Sequence, residues 1–303
     1  MPTGISLHVG VNETDPDSFG FQRLSGCVND AAAMYHVAKT RNFEERLLLT
    51  DKQATYQNVT EAILYAAGQL GGEGDVFFFT FAGHGAQVTD HDHEVFEGGD
   101  DEAMVLHDRL LLDDELHLRY WPKFNPGVRV ILLTDSCTNG SLLALALNSG
   151  GVSVSENVSV AEGVVTVTTE VTVVAAVPSP PPGPPRLLSD DARVAHVRKF
   201  PSFYGNLLKR RPAAADIRAS LIHLAACPDG FDTPDGLAHG VFTQALLDVW
   251  DDGKFVGTYE DFRDSIGQRP ALAALGGPRP FIEPELGVPL SPPFRQQSPV
   301  FNL

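Results

Sequence analysis

The chain has 303 residues, is 43% hydrophobic and carries a formal net charge of −17. That length accommodates one large domain or two small ones with ample core, and the acidic balance argues against nucleic acid as a partner. No run of about 18 apolar residues occurs, so no membrane span is expected, and the basic-then-apolar pattern of a secretory signal is missing from the first residues. The three cysteines, Cys27, Cys137 and Cys227, are odd in number and far apart, which argues for a reducing compartment, a cytoplasmic one, over a disulfide framework.

Taken in order, Ile5 to Asn12 reads as a first buried strand, and a helix is expected from about Asn29 to Thr40, with Asn29 or Asp30 as its N-cap. Arg46 to Leu49 reads as a short strand and Thr55 to Leu70 as an amphipathic helix closed by glycines. Asp75 to Ala82 (D-V-F-F-F-T-F-A) is a second core strand and runs into Gly83-His84-Gly85. An acidic segment follows: Asp90 to Glu115 holds 11 acidic residues and one basic, Arg109. Short strands are expected within it at Ala103 to Leu106 and near Leu110, and a helix start at Asp113. Such a segment suits a cationic partner, a basic peptide or a metal ion, and equally a solvated acidic loop.

Val128 to Leu133 is a third uncharged strand apart from Arg129, and it ends in Asp135-Ser136-Cys137. A helix is expected from Asn139 to about Leu147. The Val/Thr/Ser-rich stretch 150–177 has period-2 patterning that predicts a hairpin or edge strand, and Pro178 to Pro185 reads as a polyproline II linker. After a basic stretch, Leu221 to Ala226 is a strand, Val241 to Trp250 and Thr258 to Gly267 are helices, and the proline-rich tail from Pro278 is expected to be irregular and to lie on the surface. The boundaries are therefore set at 1–149, an insertion at 150–212, and 213–303.

Two core strands thus end in a histidine and a cysteine, at the C-terminal sheet edge where α/β proteins place their chemistry. His84 and Cys137 are 53 positions apart, the spacing of caspase-type nucleophiles. A thiolate attacks a carbonyl carbon, and an imidazole takes the thiol proton and returns it to the leaving amine. Either residue alone also reads as ordinary packing. Cys227, at another strand end, is read as a packing residue. His91, Asp92 and His93 fall short of a zinc ligand set.

The G-H-G after one strand, the D-S-C after another, and L-S-G-C-V-N-D-A-A-A-M at Leu24 to Met34 together resemble the metacaspases, a family of caspase-like cysteine peptidases. The resemblance implies a caspase-like three-layer α/β sandwich, a central mostly parallel sheet flanked by helices, with large-subunit-like (1–149) and small-subunit-like (213–303) halves. It implies catalysis by His84 and Cys137, with the backbone N–H groups of Gly85 and Cys137 holding the oxyanion. It places Asp30 and Asp135, with Cys27 of the first motif, in the pocket for the residue before the cut. True caspases hold a substrate aspartate with an arginine; aligned on Gly26, this chain has Leu24 there, so cleavage after Arg or Lys is expected. The partners expected are protein or peptide substrates with basic residues, acting on a monomer, with no nucleic acid and no membrane.

An enzyme of that specificity carrying a basic insertion is expected to cut itself, after Arg186, Arg193, Arg198, Lys199, Lys209 or Arg210; Arg211 precedes a proline. Many metacaspases bind calcium through carboxylates. Motif by motif this chain supplies Asp101, Asp113 and Asp114, but the intervening segment is about four residues short and Ala144 stands where a fourth carboxylate is expected. Calcium is a candidate, with none required for activity. The alternative from another class is a catalytically silent, caspase-shaped binding module.

Overall fold

The computed structural model describes residues 2–20, 23–88, 101–136, 152–161, 164–173, 184–200, 204, 217–227, 233–236, 238–273, 280–282 and 285–303. Its centre is a sheet built from β1 (Gly4–Gly10), β2 (Glu45–Thr50), β3 (Val76–Ala82), β7 (Arg129–Asp135) and β10 (Ser220–Ala225), in the order β10-β7-β3-β1-β2, all parallel. Every residue of β1 and β3 is buried, as strands covered on both faces must be. This is why they read as continuous apolar runs.

The strand period of two sorts their side chains into two cores. Phe77, Phe79, Val130, Leu132 and Leu221 pack on α2 (Tyr56–Gln69) through Val59, Ile63 and Ala66. Phe78, Ile131, Leu133, Ile222 and Leu224 face the other way. There they meet α1 (Cys27–Thr40), α4 (Val241–Trp250) and α5 (Tyr259–Gly267). The helix–sheet–helix layering is the caspase-like sandwich expected, and β10 of the C-terminal half lies directly against β7.

Three smaller units surround this frame. Strands β4 (Gly85–Val88), β5 (Asp101–Val105) and β6 (Leu110–Leu112) form an antiparallel sheet that grows straight out of the His84 turn. Strands β8 (Val152–Ala161) and β9 (Val164–Val173) pair as an antiparallel hairpin, the hairpin alternative of the two expected. A helix, α3 (Asp190–Lys199), follows the linker, where no element had been read.

Two expectations need correction. The helix near Asp30 begins two residues earlier, at Cys27. The tail is not a surface wrap. Short strands β11 (Phe281–Ile282) and β12 (Leu286–Gly287) pair antiparallel with β10, and Phe294, Val300 and Phe301 are fully buried against Tyr259 and Phe262. Apolar residues spaced among prolines show no helical or strand period, so their burial left no periodic mark in the sequence. The helix expected after Asn139, and Ala144 within it, lie outside the described residues, as do His91, Asp92, His93, Lys209, Arg210 and Arg211.

Candidate active site

The parallel register of β3 and β7 pairs Ala82 with Asp135. His84 lies two positions past the first, so it sits at the sheet edge where β7 also ends; Cys137 follows Asp135 by two positions in the sequence. Cys137 itself lies outside the described residues, and so do its thiol and its backbone N–H. His84 is buried, its ring close to the Leu187 backbone. Burial, reinforced by the nearby Arg186 charge, pulls its pKa down to about 4, so the ring is neutral and able to accept a proton at neutral pH.

Next to it is a charge cluster that the sequence showed only in part. The Arg186 side chain is fully buried, and its Nη2 lies 2.5 Å from Asp30 Oδ2 and 2.9 Å from Asp235 Oδ1, while Nη1 lies 2.9 Å from Asp135 Oδ2. Asp30 also accepts from the backbone N–H of Gly240 and pairs with His239 Nδ1 at 2.8 Å. Asp135 Oδ2 accepts from the Thr243 hydroxyl at 2.6 Å and its N–H at 3.1 Å. Asp30 is therefore no N-cap. The free N–H groups around the start of α1 are met by Asp235, which accepts from Ser25 and Gly26, and by Asn12 Oδ1, which accepts from Cys27. Those contacts leave Asp30, one turn further on, to face the guanidinium.

One buried cation among three carboxylates cannot balance them all. Burial, with Asp30 adding to it and Arg186 opposing, pushes the Asp135 pKa up to about 6. The Arg186 charge is opposed by burial, yet its neighbours, Asp135 foremost, hold its pKa above its usual value. Bonding to Asp30 raises His239. Cys27 is wholly buried below the cluster, and burial raises its thiol pKa well above the ordinary range, so it lines the site as an inert group. Gly240 closes the wall: a Cβ there would sit 2.5 Å from the guanidinium carbon of Arg186 and 2.6 Å from Asp135 Oδ2.

The backbone around Arg186 is held as tightly as its side chain. Its carbonyl oxygen accepts from the Gly85 N–H at 2.9 Å, and the Leu188 N–H donates to the Gly85 carbonyl at 2.9 Å. On the other side the Arg186 N–H donates to Thr233 and the Asp235 N–H to Pro184, at 3.2 and 3.0 Å. Residues 184–188 thus lie as an extended strand between the His84 turn and the segment preceding α4, the arrangement of an extended peptide added to strand edges.

Asp235, Thr243, His239 and Gly240 were missed from the sequence. Thr-Pro-Asp-Gly at 233–236 reads as a turn, and nothing local in it points toward α1. The other residues singled out lie elsewhere. Cys227 is nearly buried, its Sγ 4.0 Å from the Ser136 carbonyl oxygen. It lines a cleft with Thr134 and with His223, whose Nε2 is 2.8 Å from Thr134 Oγ1. Asp101 opens β5 opposite Val88. Asp113 and Asp114 come together with His117, a residue the motif comparison had not included, their ligand atoms within 4.8 Å of one another. Two carboxylates and an imidazole make a mixed donor set, softer than the all-oxygen shell calcium prefers.

A parallel α/β sheet, a histidine-ended central strand and an acid-walled groove filled by an extended segment together define a caspase-like fold. Residues 6–146, a stretch that includes His84 and Cys137, match the family model of the metacaspase, peptidase C14 domain. Metacaspase-1 of Plasmodium falciparum (isolate 3D7) is 34% identical over 137 residues, 41% of this chain and 22% of the relative. Metacaspase-1 of Emericella nidulans is 32% identical over 154 residues, 46% of this chain and 36% of the relative. The matched regions thus span well under half of the length of these curated relatives. Among solved structures, protein GSU0716 from Geobacter sulfurreducens superposes with a TM-score of 0.75 at 29% identity, over 98% of this chain and 97% of that one. Caspase-1 from Spodoptera frugiperda superposes with a TM-score of 0.53 at 13% identity, over 93% and 86%, a likeness of fold. Among the described residues no helix is long and apolar enough to cross a membrane.

Proposed function

We propose that this chain is a cysteine endopeptidase that cleaves after arginine or lysine, and that Arg186 occupies its specificity pocket as a built-in substrate. The observation that carries this reading is the Arg186 guanidinium between Asp30, Asp135 and Asp235 while its carbonyl oxygen rests on the Gly85 N–H. Charge-assisted bonds to a buried guanidinium are the interactions that select a basic side chain, each worth about 1.5–3 kcal/mol. An aspartate in the same place would add a fourth negative charge with no partner.

In this mechanism neutral His84 takes the Cys137 thiol proton, and the thiolate attacks the carbonyl carbon of the arginine. The oxyanion is held by the N–H groups of Gly85 and Cys137. His84 then protonates the leaving amine, Leu187 in the case of self-cleavage. Water, deprotonated by His84, hydrolyses the thioester and releases the arginine carboxylate and the thiol. No step runs through a metal. Asp113, Asp114 and His117 stand apart from this chemistry, and we assign calcium no required role. The chain acts as a monomer on protein and peptide substrates, and cytoplasmic conditions keep its thiols reduced.

The test is turnover of fluorogenic peptides that end in Arg, Lys or Asp. Preference for Arg and Lys is expected, and preference for Asp would remove both Asp30 and Asp135 from the pocket. A groove filled by its own chain also suits a silent binding module. Rapid alkylation of Cys137 at neutral pH, slowed in His84→Ala, is expected of the enzyme and not of the module.

A further inference from the structure

The segment lying in the groove is held at two depths. Arg186 is 0% exposed and Leu188 1% exposed, while Pro184 and Pro185 are exposed and Leu187 is half-buried. The alternation is that of a strand, in which residues i and i+2 share a face. It is fixed by the paired bonds of the Gly85 N–H and carbonyl to Arg186 and Leu188. Leu188 is buried in one cluster with Phe19, Ala86, Val88, Val105 and Leu112, side chains of the small sheet that begins at Gly85 and of the turn at 16–19. The cluster also holds Tyr204, whose hydroxyl pairs with the His196 ring, and it is separate from the two cores of the main sheet.

From these placements we infer that the small sheet is a second specificity pocket, one that accepts a large aliphatic side chain two residues after the cleaved bond. The inference rests on the proposed reading, in which Arg186–Leu187 is the bond aligned for attack. The groove then reads a pattern of arginine, any residue, and leucine or a similar aliphatic side chain, with little selection at the two positions before the arginine. An acidic or amide side chain in the second pocket would be desolvated among apolar side chains, where the cluster's hydroxyl, that of Tyr204, is already paired with His196. A glycine there would leave apolar walls uncovered.

The test uses the full-length protein after self-cleavage and a set of internally quenched peptides sharing one sequence up to the arginine. They carry Arg-Ser followed by Leu, Met, Gly or Asp. Any chain segment still seated in the groove competes equally with every peptide, so ratios of kcat/KM report the pocket alone. Leu and Met are expected to exceed Gly and Asp by about tenfold to a hundredfold, the discrimination hydrophobic pockets achieve. A short fluorogenic substrate ending at arginine, with nothing beyond the cut but the dye, is the control. If it is turned over while the four peptides are cut at rates within about twofold, the second pocket is refuted and the arginine reading stands. If neither it nor any peptide is cut, the arginine reading fails and the second pocket with it.

Discussion

The backbone N–H of Gly85 donates to the carbonyl oxygen of Arg186 at 2.9 Å. That one bond joins the histidine-bearing turn to a residue in the segment read from sequence as an inserted linker. It holds the Arg186 carbonyl against the turn that follows β3, at the edge where β7 also ends. In the proposed reading, this bond and the three aspartates hold Arg186 as a substrate supplied in cis.

Removing one acid takes away one of the bonds that hold a basic side chain in the pocket. Asp235→Asn, Asp30→Asn and Asp135→Asn are each expected to lower kcat/KM for arginine peptides by about tenfold to a hundredfold, the loss of one charge-assisted bond. Asp235→Asn is the informative variant, since that residue enters only through the structure. Unchanged turnover in Asp235→Asn, measured beside Asp30→Asn, would place it in a purely structural role at the start of α1.

Removing the cation is harsher. Arg186→Gln leaves Asp30, Asp135 and Asp235 buried without their common partner, and breaking a buried pair typically costs about 3–5 kcal/mol. In the uncut Cys137→Ala background a clear drop in the urea midpoint is expected, with Arg186→Lys recovering much of it. A midpoint for Arg186→Gln matching that of Cys137→Ala alone would mean that the side chain spends little time in the pocket.

The pH dependence has a defined sign. Asp135, raised to about 6 by burial, holds its proton below that pH, so the attraction for arginine grows as pH rises through about 6. The KM for arginine peptides is expected to fall over that range. For stability the same shift is unfavourable above pH 6, because the folded protein binds the proton more tightly than the unfolded chain. His84 acts oppositely: its pKa of about 4, lowered by burial, contributes stability present above the unfolded value near 6.5 and lost as pH falls through 4. A KM flat from pH 5 to 7.5 would contradict the role given to Asp135.

The sequence carried the frame of this site and not its closure. His84 was legible because it follows a continuous apolar strand, and Asp30 and Asp135 because their motifs resemble those of a known family. Asp235 and Gly240 sit on a turn whose residues announce only a change of direction. Arg186 was one of six candidate cut sites in a basic stretch, and its selection depends on pairings to Gly85 and Thr233 that have no local signature. The core role of Phe294, Val300 and Phe301 was hidden for the same reason: long-range packing of an aperiodic segment.

Calcium is expected to be dispensable. Turnover of an arginine peptide after exhaustive chelation should stay within about twofold of the untreated enzyme, because Asp113 and Asp114 share their cluster with the His117 nitrogen in place of a further oxygen. Activity abolished by chelator, restored by micromolar calcium and lost again in Asp113→Ala would overturn that expectation.

The most direct test of the central claim is intact-mass analysis of freshly purified wild type beside Cys137→Ala. Wild type is predicted to yield two fragments whose junction is Arg186–Leu187, while Cys137→Ala stays one chain. A wild-type junction elsewhere, or cutting at Arg186 that persists in Cys137→Ala, would contradict the account.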